Sequence, residues 1–150
     1  MFIRTLKLAL CLMLMSVGIA HADLNAYIRD LNISAQGDIG GYKAKLEGRF
    51  GTSNSQVEVV FRSVDGPGEA AIVLWLGEQA RQPLDMVLNV YRSQKSQGWG
   101  AMAKSLGIKP GSPAFHALKS GNIQVFSDGG GASSTKAKSK NKKSKKNKNS

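Results

Sequence analysis

The chain has very few of the side chains from which catalytic and metal sites are built. It contains one cysteine, Cys11, and two histidines, His21 and His116. No H-E-x-x-H, G-x-S-x-G or phosphate-binding glycine loop occurs, and the ten acidic residues are scattered along the chain. A single cysteine cannot close a disulfide within the chain, and a histidine without partners makes a poor metal site. The sequence therefore predicts no catalytic residue, no metal and no cofactor.

The first 22 residues have the pattern of a secretory signal peptide. Arg4 and Lys7 precede an uncharged apolar stretch at residues 8–20, and the small-residue site Ala-His-Ala ends at Ala22. The stretch is shorter than the roughly 20 residues that a transmembrane helix needs. We expect cleavage after Ala22, which leaves a periplasmic or secreted protein with no cysteine and no transmembrane segment. An uncleaved anchor and a lipoprotein acylated at Cys11 are the alternatives.

The opposite end of the chain lacks acidic, aromatic and large aliphatic residues. Residues 129–150 open with three glycines and cannot bury enough apolar surface to offset the entropy of ordering, so we expect a disordered basic tail. Without Arg4, Lys7 and the tail, residues 23–128 carry 11 Lys and Arg against ten acids, so the high net charge is a property of the tail. The tail is a candidate polyanion-binding segment through its eight lysines: Lys136, Lys138, Lys140, Lys142, Lys143, Lys145, Lys146 and Lys148.

Residues 23–128 are predicted to form one compact all-α domain of six or seven short helices. Apolar residues recur at spacings of three and four, beginning with Leu24, Tyr27, Ile28 and Leu31. The segment EAAIVLWLGEQA is apolar nearly all round, which is typical of a central buried helix containing Trp75.

Helix boundaries are also written in the sequence. Asp38 is expected to cap one helix, Ser53 with Gln56 to form a capping box on the next, and Ser112 to cap the last. In the helix that follows the capping box, Glu58 and Arg62 are spaced as a stabilising pair. Glycine and proline are expected to mark further helix ends and turns. These are Gly51 after a helix, a turn at residues 65–68, Pro83 in the first turn of a helix, and a turn at Pro110-Gly111.

The segment GWGAMAKSLGIKPGSPAFHALK is the most distinctive motif of the chain. Its G-W-G, L-G-I-K-P-G-S and F-H-x-L-K parts resemble a motif of uncharacterised exported bacterial proteins, with the resemblance extending over residues 23–127. The resemblance implies a secreted, mostly helical domain, and it implies no activity for any residue.

Three functions are compatible with these features. The first is a non-enzymatic binding protein of the cell envelope, whose cationic tail contacts an anionic component such as lipopolysaccharide, acidic lipid, extracellular DNA or an acidic protein. The second is a helix-turn-helix reader of DNA, but its second helix offers only His116 and Lys119 as polar reaching groups, so sequence-specific DNA binding is not expected. The third is a small secreted enzyme that uses His116 with an acid.

Two residues of the body are candidates for a ligand or partner surface. Trp99 either anchors the core at the start of a helix or presents its indole ring to a sugar or peptide. His116 is either an exposed helix residue or a general base. We expect Trp75 to be the more buried of the two tryptophans.

Overall fold

A computed structural model describes residues 22–126, and in this range the chain is helical, as the sequence predicts. Residues 1–21 and 127–150 lie outside the described range, and with them the signal peptide, the tail and its eight lysines. The described part contains seven α-helices and one short 3₁₀ helix: α1 (Ala22–Gln36), α2 (Ile39–Phe50), α3 (Asn54–Ser63), α4 (Pro67–Ala80), α5 (Leu84–Gln94), the 3₁₀ helix (Lys95–Gln97), α6 (Trp99–Ser105) and α7 (Pro113–Ser120).

Helix α4 is the centre of the fold. The run from Ala70 to Leu76 is buried without interruption, and α4 packs against α1, α2, α3 and α5. An all-round apolar helix can be stable only where neighbours cover every side of it, which is the arrangement found here. The predicted face of α1 is also confirmed, because Leu24, Ile28 and Leu31 are buried against this core.

The predicted caps hold the helix ends. The Asp38 carboxylate accepts a hydrogen bond of 2.8 Å from the Gly41 amide at the start of α2. Ser53 forms the capping box at the start of α3, and Gly51 ends α2 in the left-handed conformation with φ of 59°. Each cap satisfies a backbone group that the helix itself leaves without a partner.

Three local predictions need correction. Pro83 precedes α5 as its N-cap residue and is not in the first turn, whereas Pro67 does occupy a first turn, so α4 begins inside the segment predicted to be a turn. Glu58 forms its ion pair with Lys43 of α2, at 2.6 Å, and not with Arg62. The reason is that α2 packs beside α3 and brings a lysine closer than the next turn of the same helix.

The segment after α7 packs against the core and is bonded to α1. Ile123 and Val125 are buried, and the Val125 amide donates a hydrogen bond of 3.2 Å to the Tyr27 hydroxyl of α1. The ring of Phe126 meets the ring of Tyr42 edge-on, with their centroids 5.3 Å apart. Helix α7 packs on α1 and α6, so α7 and the segment up to Phe126 are fixed against the first helix.

Candidate ligand groove

The corner between α5 and α6 places Trp99 at the edge of the core. The chain leaves α5 through the 3₁₀ helix and reverses at Gly98, whose φ of 89° is a conformation that glycine adopts without strain. Trp99 follows as the first residue of α6 and is half-buried, with its ring centroid 5.8 Å from that of the buried Tyr91. The corner therefore fixes Trp99 against α5.

A groove of about 480 Å³ runs beside this tryptophan, between the start of α1, the α5–α6 corner and α7. We call it the lysine groove. Its buried lining residues are apolar, and its most exposed ones are polar. The lining residues that bear on ligand binding are Leu24, Asn25, Lys95, Gln97, Trp99, Lys104, Phe115, Leu118 and Lys119.

Among residues 24–126, the charged residues that line the groove are all positive. Lys95, Lys104 and Lys119 line it, and none of its lining residues in this range is acidic. Lys95 is bound to Asp65 outside the groove, with Nζ–oxygen distances of 2.9 and 3.0 Å. Lys104 and Lys119 make no ion pair with any of the residues from 24 to 126. Two lysines are therefore left to attract an anion into a groove that repels cations.

The aromatic surface of the groove is formed by Trp99 and Phe115. Nζ of Lys119 lies 6.0 Å from the centroid of the Phe115 ring, so this lysine extends across the ring face. A Cβ on Gly100 would lie 3.8 Å from Cζ of Phe115, which is ordinary contact distance, and glycine at this position leaves that space open. Both interpretations of Trp99 thus describe part of its position: it packs against α5 and it lines the groove.

His116 is not part of the groove. It is an exposed residue of α7, whose backbone amide donates to the Ser112 carbonyl and whose carbonyl oxygen accepts from the Ser120 hydroxyl. Its ring enters no hydrogen bond or ion pair with the described residues. The structure therefore separates the two residues that the sequence offered as one surface.

The groove residue Lys95 belongs to a polar cluster with Asp65 and Tyr91. Tyr91 donates a hydrogen bond of 3.2 Å from its hydroxyl to Asp65, the partner of Lys95. The hydrogen bond from Lys95 holds the pKa of the Asp65 carboxyl below its ordinary value. Burial, more than any other cause, raises the pKa of Tyr91 to about 12, so its hydroxyl stays protonated and can donate even at pH 10.0, where a free tyrosine is half ionised.

The α6–α7 corner has the packing expected of a structural unit. Met102, Leu106, Ile108 and Leu118 are all buried, and the turn between the helices passes through Gly111 with φ of 85°. These apolar residues hold α7 against α6, and of the four only Leu118 also lines the groove.

Within residues 22–126, no three His, Cys, Asp or Glu side chains are grouped so that they could hold a metal ion. No helix of the same range is long and apolar enough to cross a membrane. No charged residue is buried among residues 24–126.

Comparison of the chain with protein-family models, with curated proteins and with solved structures gives no match. The groove is therefore interpreted from its own residues.

The sequence indicated Trp99 but not the lysines and Phe115 beside it. Lys95 and Lys104 lie on opposite sides of Gly98 in the chain, and Lys119 belongs to another helix. Only the reversal at Gly98 and the packing of α7 on α6 bring them to one groove. The net charge of residues 23–128 is nearly zero, so it does not reveal that three lysines line one groove.

Proposed function

We propose that this protein is an exported, non-enzymatic binding protein that holds an anionic component of the cell envelope. The observation that carries the proposal is the lysine groove, where three lysines and, among residues 24–126, no acid line a partly aromatic surface. Fixed positive charge beside a partly desolvated surface attracts anions more strongly than scattered exposed charge does.

The lysine-rich tail supports the same function. Its eight lysines add a sequence-independent attraction to anionic surfaces, which salt weakens. A lysine near an anionic membrane contributes about 1 kcal/mol. The groove and the tail belong to one chain, so an anionic polymer or surface that reaches both is held more tightly than by either alone.

Export is part of the proposal. It rests on the basic start, the apolar stretch and the Ala-His-Ala site, and on the resemblance of the motif at residues 98–119 to that of exported bacterial proteins. Mass spectrometry of the mature protein is expected to find Asp23 as its first residue. A mature chain that keeps Cys11 would contradict this part of the proposal.

The binding test uses the full mature chain and an insoluble envelope fraction. The tail variant replaces all eight tail lysines by glutamine, the groove variant carries Lys104→Gln and Lys119→Gln, and a third protein combines them. The matched control carries Lys45→Gln and Lys109→Gln, which removes the same charge from two exposed lysines outside the groove.

Co-sedimentation with the envelope fraction is expected to fall in the tail variant and in the groove variant, and to fall most in the combined protein. The control is expected to bind like the unaltered protein. Binding by the combined protein that equals that of the unaltered protein would refute the proposed function.

A further inference from the structure

The lining of the lysine groove restricts the kind of anion that it suits. Trp99 and Phe115 offer half-buried aromatic surface, and the exposed amides of Asn25 and Gln97 can both donate and accept hydrogen bonds. Lys104 and Lys119 add two cations that have no ion-pair partner among residues 24–126. A ligand that matches all of these groups has a partly apolar ring face, several hydroxyls and a negative charge.

We infer that the groove binds an acidic saccharide, a sugar residue that carries a carboxylate or a phosphate. The C–H face of the sugar ring packs on the aromatic surface at Trp99, and its anionic group is held by Lys104 and Lys119. Its hydroxyls exchange hydrogen bonds with Asn25 and Gln97. The inference rests on the proposed function, because it names the ligand class of the same groove.

The polar part of the lining favours a saccharide over the acyl chain of a lipid. An acyl chain needs a continuous apolar channel, whereas the two buried lining residues, Leu24 and Leu118, share the lining with exposed lysines and amides. Hydroxyl-rich ligands gain hydrogen bonds from such a lining, and acyl chains leave its polar groups without partners.

Single-stranded nucleic acid also combines bases that stack with charged phosphates. A site for single-stranded nucleic acid stacks several successive bases on aromatic side chains, whereas among the described residues this groove is lined by two aromatic residues, Trp99 and Phe115. The proposed export also removes the chain from the cytoplasm, where nucleic acids are made. A saccharide is therefore the ligand for which we argue, and nucleic acid is an outcome of the test.

The test follows the two indole N–H signals of the mature full-length protein by nuclear magnetic resonance, one from Trp75 and one from Trp99. The variant Trp99→Phe identifies the groove signal, which makes the readout specific to the groove even though the tail is present. The acidic probes are trigalacturonic acid and mannose 6-phosphate, and the neutral probe is galactotriose. Phosphatidylglycerol vesicles and hexathymidylate serve as anions of the other two classes.

An acidic sugar is expected to move the Trp99 signal and to leave the Trp75 signal in place, with galactotriose at least about tenfold weaker. The groove variant Lys104→Gln/Lys119→Gln should lose about tenfold or more in affinity, and the control Lys45→Gln/Lys109→Gln should lose none.

Two results would overturn the inference. The first is that neither acidic sugar moves the Trp99 signal at about 10 mM, and the second is that galactotriose binds as well as trigalacturonic acid. If vesicles or hexathymidylate bind through Lys104 and Lys119 while the sugars do not, the saccharide inference is wrong and the proposed anion-binding function stands. If the affinity for every anion is unchanged in the Lys104→Gln/Lys119→Gln variant, the groove binds neither an acidic saccharide nor any other anion tested.

Discussion

The backbone of Gly68 lies directly against the carbonyl group of Ile28, where the start of α4 meets α1. A Cβ on Gly68 would lie 2.5 Å from the Ile28 carbonyl oxygen and 3.1 Å from Oδ1 of Asn32. The Gly68 amide donates a hydrogen bond of 2.7 Å to the same Asn32 oxygen. The absence of a side chain is therefore what lets the central helix approach α1 this closely.

We expect Gly68→Ala to lower the free energy of unfolding by about 1–3 kcal/mol, because backbone atoms must move apart to admit the new methyl group. Urea unfolding followed by circular dichroism measures the change. The matched control is Gly48→Ala in the interior of α2, where a Cβ meets no atom within 4 Å. There the better helix propensity of alanine should stabilise the protein by about 0.5–1 kcal/mol. Two variants of equal stability would disprove the close approach.

The two tryptophans are expected to differ in their contribution to stability. Trp75 is 5% exposed on the central helix, whereas Trp99 is half-buried beside the groove. Trp75→Ala should lower the free energy of unfolding by about 3–5 kcal/mol, since it leaves a large cavity in the core. Trp99→Ala should cost less, and Trp75→Phe should recover part of the loss. Thermal melting of the three variants tests the order, and a Trp75→Ala protein that melts like the unaltered one would contradict the packing of α4.

The helices were predictable because their signals are local. The capping box at Ser53 and the left-handed Gly51 act within one turn of the chain. The spacing of the apolar residues of α1 predicts which face of this helix packs against the core. Partners that are distant in sequence were not predictable. Lys43 pairs with Glu58 across two helices, and three lysines from separate elements line the same groove as Trp99, because tertiary packing alone decides these neighbours.

The tyrosines are expected to report on the integrity of the fold at high pH. The chain has three, Tyr27, Tyr42 and Tyr91, and burial is the main cause that raises the pKa of each above its ordinary value of 10.0. The pKa of Tyr91 reaches about 12. Because the pKa of Tyr91 is higher in the folded state than in the unfolded state, the folded protein keeps the phenol proton up to a higher pH. The resulting stability is complete below pH 10.0 and is lost as the pH rises through about 12.

Absorbance of the ionised phenol at 295 nm, recorded from neutral to strongly alkaline pH, measures this directly. We expect little ionisation at pH 10.0, where a free tyrosine is half ionised, and then a steep rise that coincides with loss of helical circular dichroism. The protein unfolded in guanidinium is the reference and should titrate near the ordinary value. A folded protein whose three tyrosines titrate with the unfolded reference would show that these hydroxyls are not buried.

Any binding of DNA is expected to depend on the tail and to ignore sequence. Helix α7, which would have to read bases, fixes Leu118 in the core and leaves His116, Lys119 and Ser120 as its exposed polar groups, and the Ser120 hydroxyl donates to the His116 carbonyl of the same helix. Arg, Asn and Gln, which make the usual paired contacts with bases, do not occur in α7.

Two duplexes of unrelated sequence should therefore bind with the same affinity. The slope of log affinity against log salt should become less steep when the eight tail lysines are replaced by glutamine, because each phosphate neutralised adds about 0.9 to its magnitude. Replacing Lys45 and Lys109 by glutamine instead should change that slope far less. Tight binding of a single duplex sequence by the protein with the neutral tail would restore the helix-turn-helix interpretation, since the body would then be reading bases through α7.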